Sequence, residues 1–228
     1  MKKYYRVIMI IGMAKRETLN TFVKIIVVIF LGGLVSGCAT TGLADYAKLE
    51  GLKADKVATT TLQMINSNNV ESFVNRQEFS TEIRQWDPVA QFDRYRSHFR
   101  IYKFHANQGE RYEVNLRSLC QCGGFAKRIL YPITMLIDSK GNIINDSPST
   151  LKIENASWSL PMNVHSILNG QLEESGTYYV VVAAENQSVA KQVSRTRGFI
   201  VTSGVFAIIG MPVVSHPTGK LDITITVF

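Results

Sequence analysis

From residue 221 to its last residue the chain reads LDITITVF, with Leu221, Ile223, Ile225 and Val227 alternating with Asp222, Thr224 and Thr226. Side chains of a strand point to opposite faces in turn, so this pattern puts every apolar group on one face. A helix would scatter the same residues around its surface. The stretch therefore reads as a half-buried strand with Ile223 and Ile225 toward a core and Asp222 toward water or a partner. The same period recurs upstream. In Arg111 to Arg117, Tyr112, Val114 and Leu116 share one face. His98 to Phe104 precedes it across an Asn107-Gln108-Gly109 turn. Ile129 to Ile137 is an apolar run, and Asp138 to Asn142 with Gly141 is a hairpin-type turn into Ile143 and Ile144. Ser166 to Glu173 is a weaker strand, and Thr177 to Ala183 is rich in β-branched and aromatic residues. Strands separated by turn signals, with no long helix between them, predict a mainly β chain: an antiparallel, jelly-roll-like β-sandwich over 92–228.

Residues 38–91 differ. Ala39 to Gly42 form a short tether, and Leu43 to Phe73 is rich in Ala, Leu, Lys, Gln and Glu. Leu43, Tyr46, Leu49, Val57, Leu62 and Ile65 recur at irregular three-to-five spacing, which predicts one or two short helices. Asp87-Pro88 closes the region, since a residue before proline disfavours helix. The expectation is a lipidated tether and helical arm over 38–91.

Before it, Ile25 to Gly37 is a run of thirteen uncharged residues preceded by Lys15, Arg16 and Lys24. Basic residues, a short apolar stretch and small residues at its end describe a secretory signal peptide over 1–37. Met13 begins a more ordinary leader than Met1 does. Leu34-Val35-Ser36-Gly37-Cys38 resembles the bacterial lipobox. That resemblance implies cleavage before Cys38 and lipid on its sulfur. Ala39, where aspartate would favour inner-membrane retention, implies transfer to the outer membrane with the body on the periplasmic face. A membrane helix over 25–44 is disfavoured by Gly32, Gly33, Ser36, Gly37, Thr40, Thr41 and Gly42.

Charge follows the same division. The chain has a formal net charge of +7, but residues 1–37 hold six basic groups and one acid, leaving +2 on the rest. A broad nucleic-acid-binding face loses its main support.

Gln108-Gly109-Glu110-Arg111-Tyr112, Leu136-Ile137-Asp138, Gly141 and Gly176-Thr177-Tyr178-Tyr179-Val180 resemble the landmarks of pre-peptidase C-terminal-like domains. The ending from His216, and the apolar strand from Tyr131-Pro132-Ile133 to Asp138, resemble MalM-type maltose-operon periplasmic proteins. Both resemblances, covering about 99–227, imply an envelope accessory protein and name no ligand.

Chemistry is sparse. There is no Gly-x-Ser-x-Gly elbow, no Walker or dinucleotide glycine pattern and no His-Glu-x-x-His. Ser188-Val-Ala-Lys191 matches Ser-x-x-Lys, a short pattern common by chance. His98, His105, His165 and His216 lack metal-site spacing, and a hairpin turn explains Asp138 and Asn142 without calcium or Asp146. No metal or cofactor is expected. Cys120-Gln-Cys122 is the most unusual local feature. With Cys38 lipidated it is an even pair in an oxidising compartment. Strand positions i and i+2 lie near or beyond the upper limit of disulfide geometry, but Gly123 and Gly124 permit a turn. An internal disulfide, free thiols, a partner disulfide and a soft Cu(I) site stay open. Gly198 to Val214 has no charged residue, and glycines and Pro212 break it. Two buried strands joined at Thr202-Ser203-Gly204 are expected there, with an apolar loop against a partner or the bilayer as the alternative. Phe228 ends the chain as barrel proteins end, but one strand closes no barrel.

The expected function is non-catalytic: a lipid-anchored envelope accessory protein, membrane-bound through Cys38, with an envelope protein partner and no nucleic acid. A carbohydrate- or peptidoglycan-binding module is the alternative, resting on Trp86, Trp158, Tyr178 and Tyr179. An envelope hydrolase with an unrecognised site is the second alternative.

Overall fold

The structure, a computed structural model, describes residues 42–67, 69–122, 127–156, 161–202 and 205–228, and of 196–210 only the backbone. The chain divides into two units, Met1–Cys38 and Ala39–Phe228. The leader and its cysteine motif lie outside the described residues, as do Trp158 and the glycines after Cys122. Among the described residues no helix is long and apolar enough to cross a membrane.

The second unit is a β-sandwich. Its larger sheet runs β1 (Val57–Ala58), β4 (Val89–Phe92), β5 (Tyr95–Ala106), β12 (Gly176–Ala184), β8 (Pro132–Asp138), β9 (Ile143–Asn145). β2 (Val70–Ser72) pairs β5 beyond the end of β4. Facing it is a five-stranded sheet ordered β10 (Thr150–Glu154), β11 (Asn163–Gln171), β6 (Arg111–Leu119), β15 (Gly219–Val227), β3 (Glu78–Ile83). A third sheet joins β13 (Gln192–Thr202), β14 (Val205–Ser215) and β7 (Arg128–Ile129). The five-stranded sheet is antiparallel throughout, whereas β1–β4, β2–β5 and β14–β7 pair in parallel.

Alternation builds the core between the two large sheets. Tyr112, Val114 and Leu116 of β6 and Leu221, Ile223 and Ile225 of β15 face Tyr102, Phe104, Leu136, Tyr178, Val180 and Val182. Ile223 and Ile225 are fully buried, on the face that the alternation assigns them. On the other face Asp222 accepts a 2.5 Å hydrogen bond from Ser80 Oγ. Gly170 serves this packing, because a Cβ there would stand 2.8 Å from Tyr112 Oη.

The run at Val180–Ala184 is apolar throughout because β12 is buried on both faces. Its outward side chains Val181 and Ala183 join Phe99, Ile101, Ile137 and Met64 in a second cluster. Residues 57–91, expected within a helical arm, are different in the structure: they supply β1 to β3 and most of β4. These strands have two to six residues, and β3 shows no clean alternation of burial. Their pairing partners lie far away in sequence, which local helix propensity does not register. The helical residues are 42–50 (α1) and Thr61–Ile65 (α2). A capping box starts α2: Gln63 N–H donates to Thr60 Oγ1, and Gln63 Oε1 accepts from Thr60 N–H. The β8–β9 turn seats α2. Gly141 has φ +87°, a Cβ on it would meet Leu62 Cγ at 2.8 Å, and its carbonyl accepts from Thr61 Oγ1 at 2.5 Å.

Candidate functional site

A dense polar cluster lies where α1 meets the sandwich. Tyr46 and Leu49 stand three apart on one side of α1, and Leu49 is buried with Val57 and Val89. The last carbonyls of a helix lack intrahelical partners and carry partial negative charge. Arg96 meets that need. Its Nη1 donates to the carbonyls of Leu49 (3.3 Å), Glu50 (2.8 Å) and Leu52 (2.7 Å), and its N–H donates to Glu50 Oε1 (3.2 Å).

At the other end, Gly42 lies under the imidazole of His216, and a Cβ on Gly42 would stand 3.2 Å from His216 Cδ2. Asp45 Oδ2 accepts from Gln85 Nε2 at 2.7 Å and stands 3.8 Å from His216 Nε2. Thr218 donates to His216 Nδ1 from its backbone N–H (3.3 Å), with its hydroxyl 3.0 Å away. Nδ1 also stands 3.2 Å from the Thr218 carbonyl, and Nε2 faces the Asp45 carboxylate. His216 is 2% exposed, and its Nε2 has no hydrogen-bond partner. Burial lowers its pKa below the usual 6.5 and Arg128 adds to this, against the Thr218 carbonyl and Asp45.

His98 stands on the same side. Its Nδ1 donates to the Asp87 carbonyl at 2.7 Å, and burial lowers its pKa despite that bond and the nearby carboxylates of Asp87 and Asp45. The Asp87 carboxylate accepts from Arg84 N–H (2.7 Å) and Arg100 Nε (3.1 Å). Arg100 Nη1 also donates to Glu71 (2.7 Å), tying β2 to β5. A cavity of about 110 Å³ lies among Asp45, Lys48, Gln85, His98 and Thr218. Thr218 hydroxyl, His216 imidazole and Asp45 carboxylate fall in one row, as acyl-transfer sites require. But the hydroxyl is spent on a residue two places away, and the ring is sealed beneath Gly42. This arrangement can clamp α1 and respond to protons.

The other singled-out residues stay apart. His165 links three strands, with Nε2 2.9 Å from Asn115 Oδ1 and Nδ1 3.3 Å from Glu154 Oε1. His105 is exposed on β5. Asp138 accepts from Lys140 N–H, Asn142 N–H and Asn142 Nδ2, each at 2.8 Å. Partial burial raises its pKa, and these bonds outweigh that and lower it. Asp146 meets Ser147 instead. Among the described residues, no three His, Cys, Asp or Glu side chains converge as a metal site requires. The Ser188 carbonyl accepts from Lys191 N–H at 3.0 Å, so that tetrapeptide is a turn. Cys120 and Cys122 are joined with Cα atoms 5.2 Å apart, within the roughly 4.4–6.8 Å span of disulfides. The backbone turns there: Cys122 lies beyond the end of β6, and Gln121 bridges back to Arg128. Among the described residues, Trp86, Tyr178 and Tyr179 form no shared platform. Tyr178 is in the sandwich core, stacked 5.8 Å from Phe104, while Tyr179 points to the opposite face. Trp86 is 77% exposed, with the Arg84 guanidinium 5.5 Å from its ring centre.

Neither the α1 clamp nor the His–Asp pairs had a sequence signal. Their members are up to 171 positions apart, and only the fold brings them together. The Thr-x-x-Gln capping signature at Thr60 was legible and passed over.

No known family pattern matches the sequence, and no characterised protein does. Nine chains of solved structures match, three of them as follows. One is the pre-peptidase C-terminal domain of a Bacillus anthracis collagenase, at 8% identity and TM-score 0.34, over 71% of this chain and 98% of that one. Another is Aeromonas hydrophila PliG, a periplasmic inhibitor of g-type lysozyme, at 11% and 0.29, over 75% and 98%. The third is the Methylococcus capsulatus secreted protein MopE, at 9% and 0.29, over 75% and 99%.

Proposed function

We propose that the protein is a lipid-anchored accessory protein of the bacterial envelope, non-catalytic, holding its sandwich at the periplasmic face of the outer membrane. The carrying observation is the clamp on α1. Only residues 39–41 separate Cys38 from this fixed helix. Four steps of extended chain reach at most about 14 Å. A lipid on Cys38 would therefore hold the sandwich close against the bilayer. Multiple acyl chains supply the stable attachment that one chain lacks. Trp86, exposed and braced by Arg84, is the kind of aromatic anchor that protein partners bury.

Metabolic labelling with a palmitate analogue tests the anchor. Label on the parent and none on Cys38→Ala is the expected result. Label that survives the substitution overturns it. Cross-linking in intact envelopes then identifies the partner, and Trp86→Ala weakens that capture.

A further inference from the structure

A cavity of about 390 Å³ lies on the outer face of the larger sheet, among α2, the β4–β5 hairpin, β8 and Ile143 of β9. Small-molecule sites run from about 300 to 1,000 Å³. Alternation sets the floor. Ile133 and Met135 take the face of β8 opposite to Leu136, which is in the sandwich core, and they pack with Met64, Phe92 and Tyr95. Phe92 and Tyr95 are the last pair of the β4–β5 hairpin, and their rings stack with centroids 6.1 Å apart and planes at 22°. Asp93 and Arg94 form the turn between them.

Most neutral polar groups around this floor are spent within the protein. Thr59 Oγ1 donates to Gln63 Oε1 at 3.1 Å, and Thr61 Oγ1 to the Gly141 carbonyl at 2.5 Å. Thr60 caps α2, and Thr134 shares the core face of β8 with Leu136. Gln91 Nε2 donates to the carbonyls of Asp93 and Tyr95, each at 3.1 Å. The carboxylates keep free acceptor positions. Asp93 and Asp146 are exposed and line the same cavity. Asp93 stands 3.6 Å from Arg94 Nε, but the two side chains are 81% and 83% exposed, and an ion pair so solvated holds little. Asp146 accepts from the Ser147 hydroxyl at 3.2 Å. No lysine, arginine or histidine is among the described residues that line the cavity. The negative charge is felt at the floor, where burial first, then Glu185 and Asp93, raise the Tyr95 pKa to about 12.

We infer that this cavity binds a small organic cation: an aromatic or alkyl body rests on Ile133, Met135 and Phe92, and an ammonium head meets Asp93 and Asp146 at the mouth. The division of the lining sets this chemistry. An apolar floor takes an apolar body, and the two methionines, Met64 and Met135, adapt to its shape. Ring faces such as those of Phe92 and Tyr95 attract a cation further. A neutral ligand of the same shape would leave both carboxylates without a counter-charge, and an anion would be repelled by both. This site requires neither lipid on Cys38 nor a protein partner, so its failure and the failure of the anchor are read separately.

Titration calorimetry on the full chain tests it with three probes of one shape: phenylbutylammonium, phenylbutanol and phenylbutyrate. The cation should bind several-fold more tightly than the alcohol, and the anion most weakly. The Asp93→Asn, Asp146→Asn variant should bring the affinity for the cation down to that for the alcohol and leave the alcohol unchanged. Met135→Trp, which fills the cavity, should weaken cation and alcohol alike. Ile133→Trp serves if that variant does not fold. Equal binding of cation and alcohol by the parent overturns the inference in favour of a plain apolar pocket. A preference for the cation that survives the loss of both carboxylates overturns it too, as does the failure of all three probes to bind at millimolar concentration.

Discussion

Strands β14 and β15 are consecutive in the chain, separated only by His216, Pro217 and Thr218, yet they solve opposite problems. β15 is paired along both edges, by β6 and β3, and shows one apolar face to the core. β14 is paired along one edge by β13, and among the described residues its other edge pairs with the body only at Val214 and Ser215. Both carry aliphatic residues, β14 more of them, but content alone does not say which face is buried. Period does. Strict alternation gives β15 one face to bury, which a two-sheet sandwich accommodates. VFAIIGMPVVS has no such alternation and offers no polar face to solvent. A strand of that kind needs an apolar environment on both sides; among the described residues Val213 finds one at the base, with Cys120, Ile129 and Met162.

The comparison can be broken most sharply at β15. Ile225→Ala should cost about 2–5 kcal/mol, from lost transfer energy and the cavity left in a packed core. Thermal melts in which this substitution changes little would show that β15 is not integrated as its two ladders indicate.

The joint between the strands should be sensitive to pH. Folding lowers the pKa of His98 and His216 below 6.5, so the unfolded chain takes up protons first as pH falls. Stability from both groups is present above pH 6.5 and is lost on acidification through their folded pKa values. Burial, the largest cause in each case, pushes Tyr46, Tyr95 and Tyr102 up to about 12 from an ordinary value of 10.0. There the unfolded chain releases protons first, and stability falls as pH rises past 10. Denaturant midpoints across pH should show a plateau between these limits. His216→Gln should flatten its acid side, and an unchanged acid slope would remove His216 from the clamp.

The smallest effects should come from positions that do not build the core. Thr224→Ala, on the outer face of β15, should shift stability by about 0.5 kcal/mol or less in thermal melts. A Thr224→Ala loss approaching that of Ile225→Ala would mean that the outer face of β15 is packed as well.

Strands with regular alternation or clear turn residues were legible: β5, β6, β8, β9, β11, β12 and β15 all fall where period and turns put them. The short strands were not. β10 has Leu151 and Ile153 exposed, so no buried face marks it in the pattern. β1 and β2 lie in a segment whose composition favours helix, and β3 and β4 in the stretch that follows it. Their conformation is decided by partners such as Thr224 across from Glu78, or Val89 beside Val57. The Cys120–Cys122 pair was visible as an oddity, but its spacing could not say how the chain would turn there.

Local order thus follows from residues that repeat every second position, because the side-chain period of a strand is written in neighbouring letters. The two-sheet architecture follows as well, since half-apolar strands must bury that half against another sheet. The choice of strand partners, the covering of the outer sheet face by residues 42–65, and the meeting of Asp45 with His98 and His216 came from the tertiary structure alone. These depend on contacts between distant parts of the chain. Such contacts form only when burial elsewhere has brought the elements together, and no spacing in the sequence encodes the distance between them.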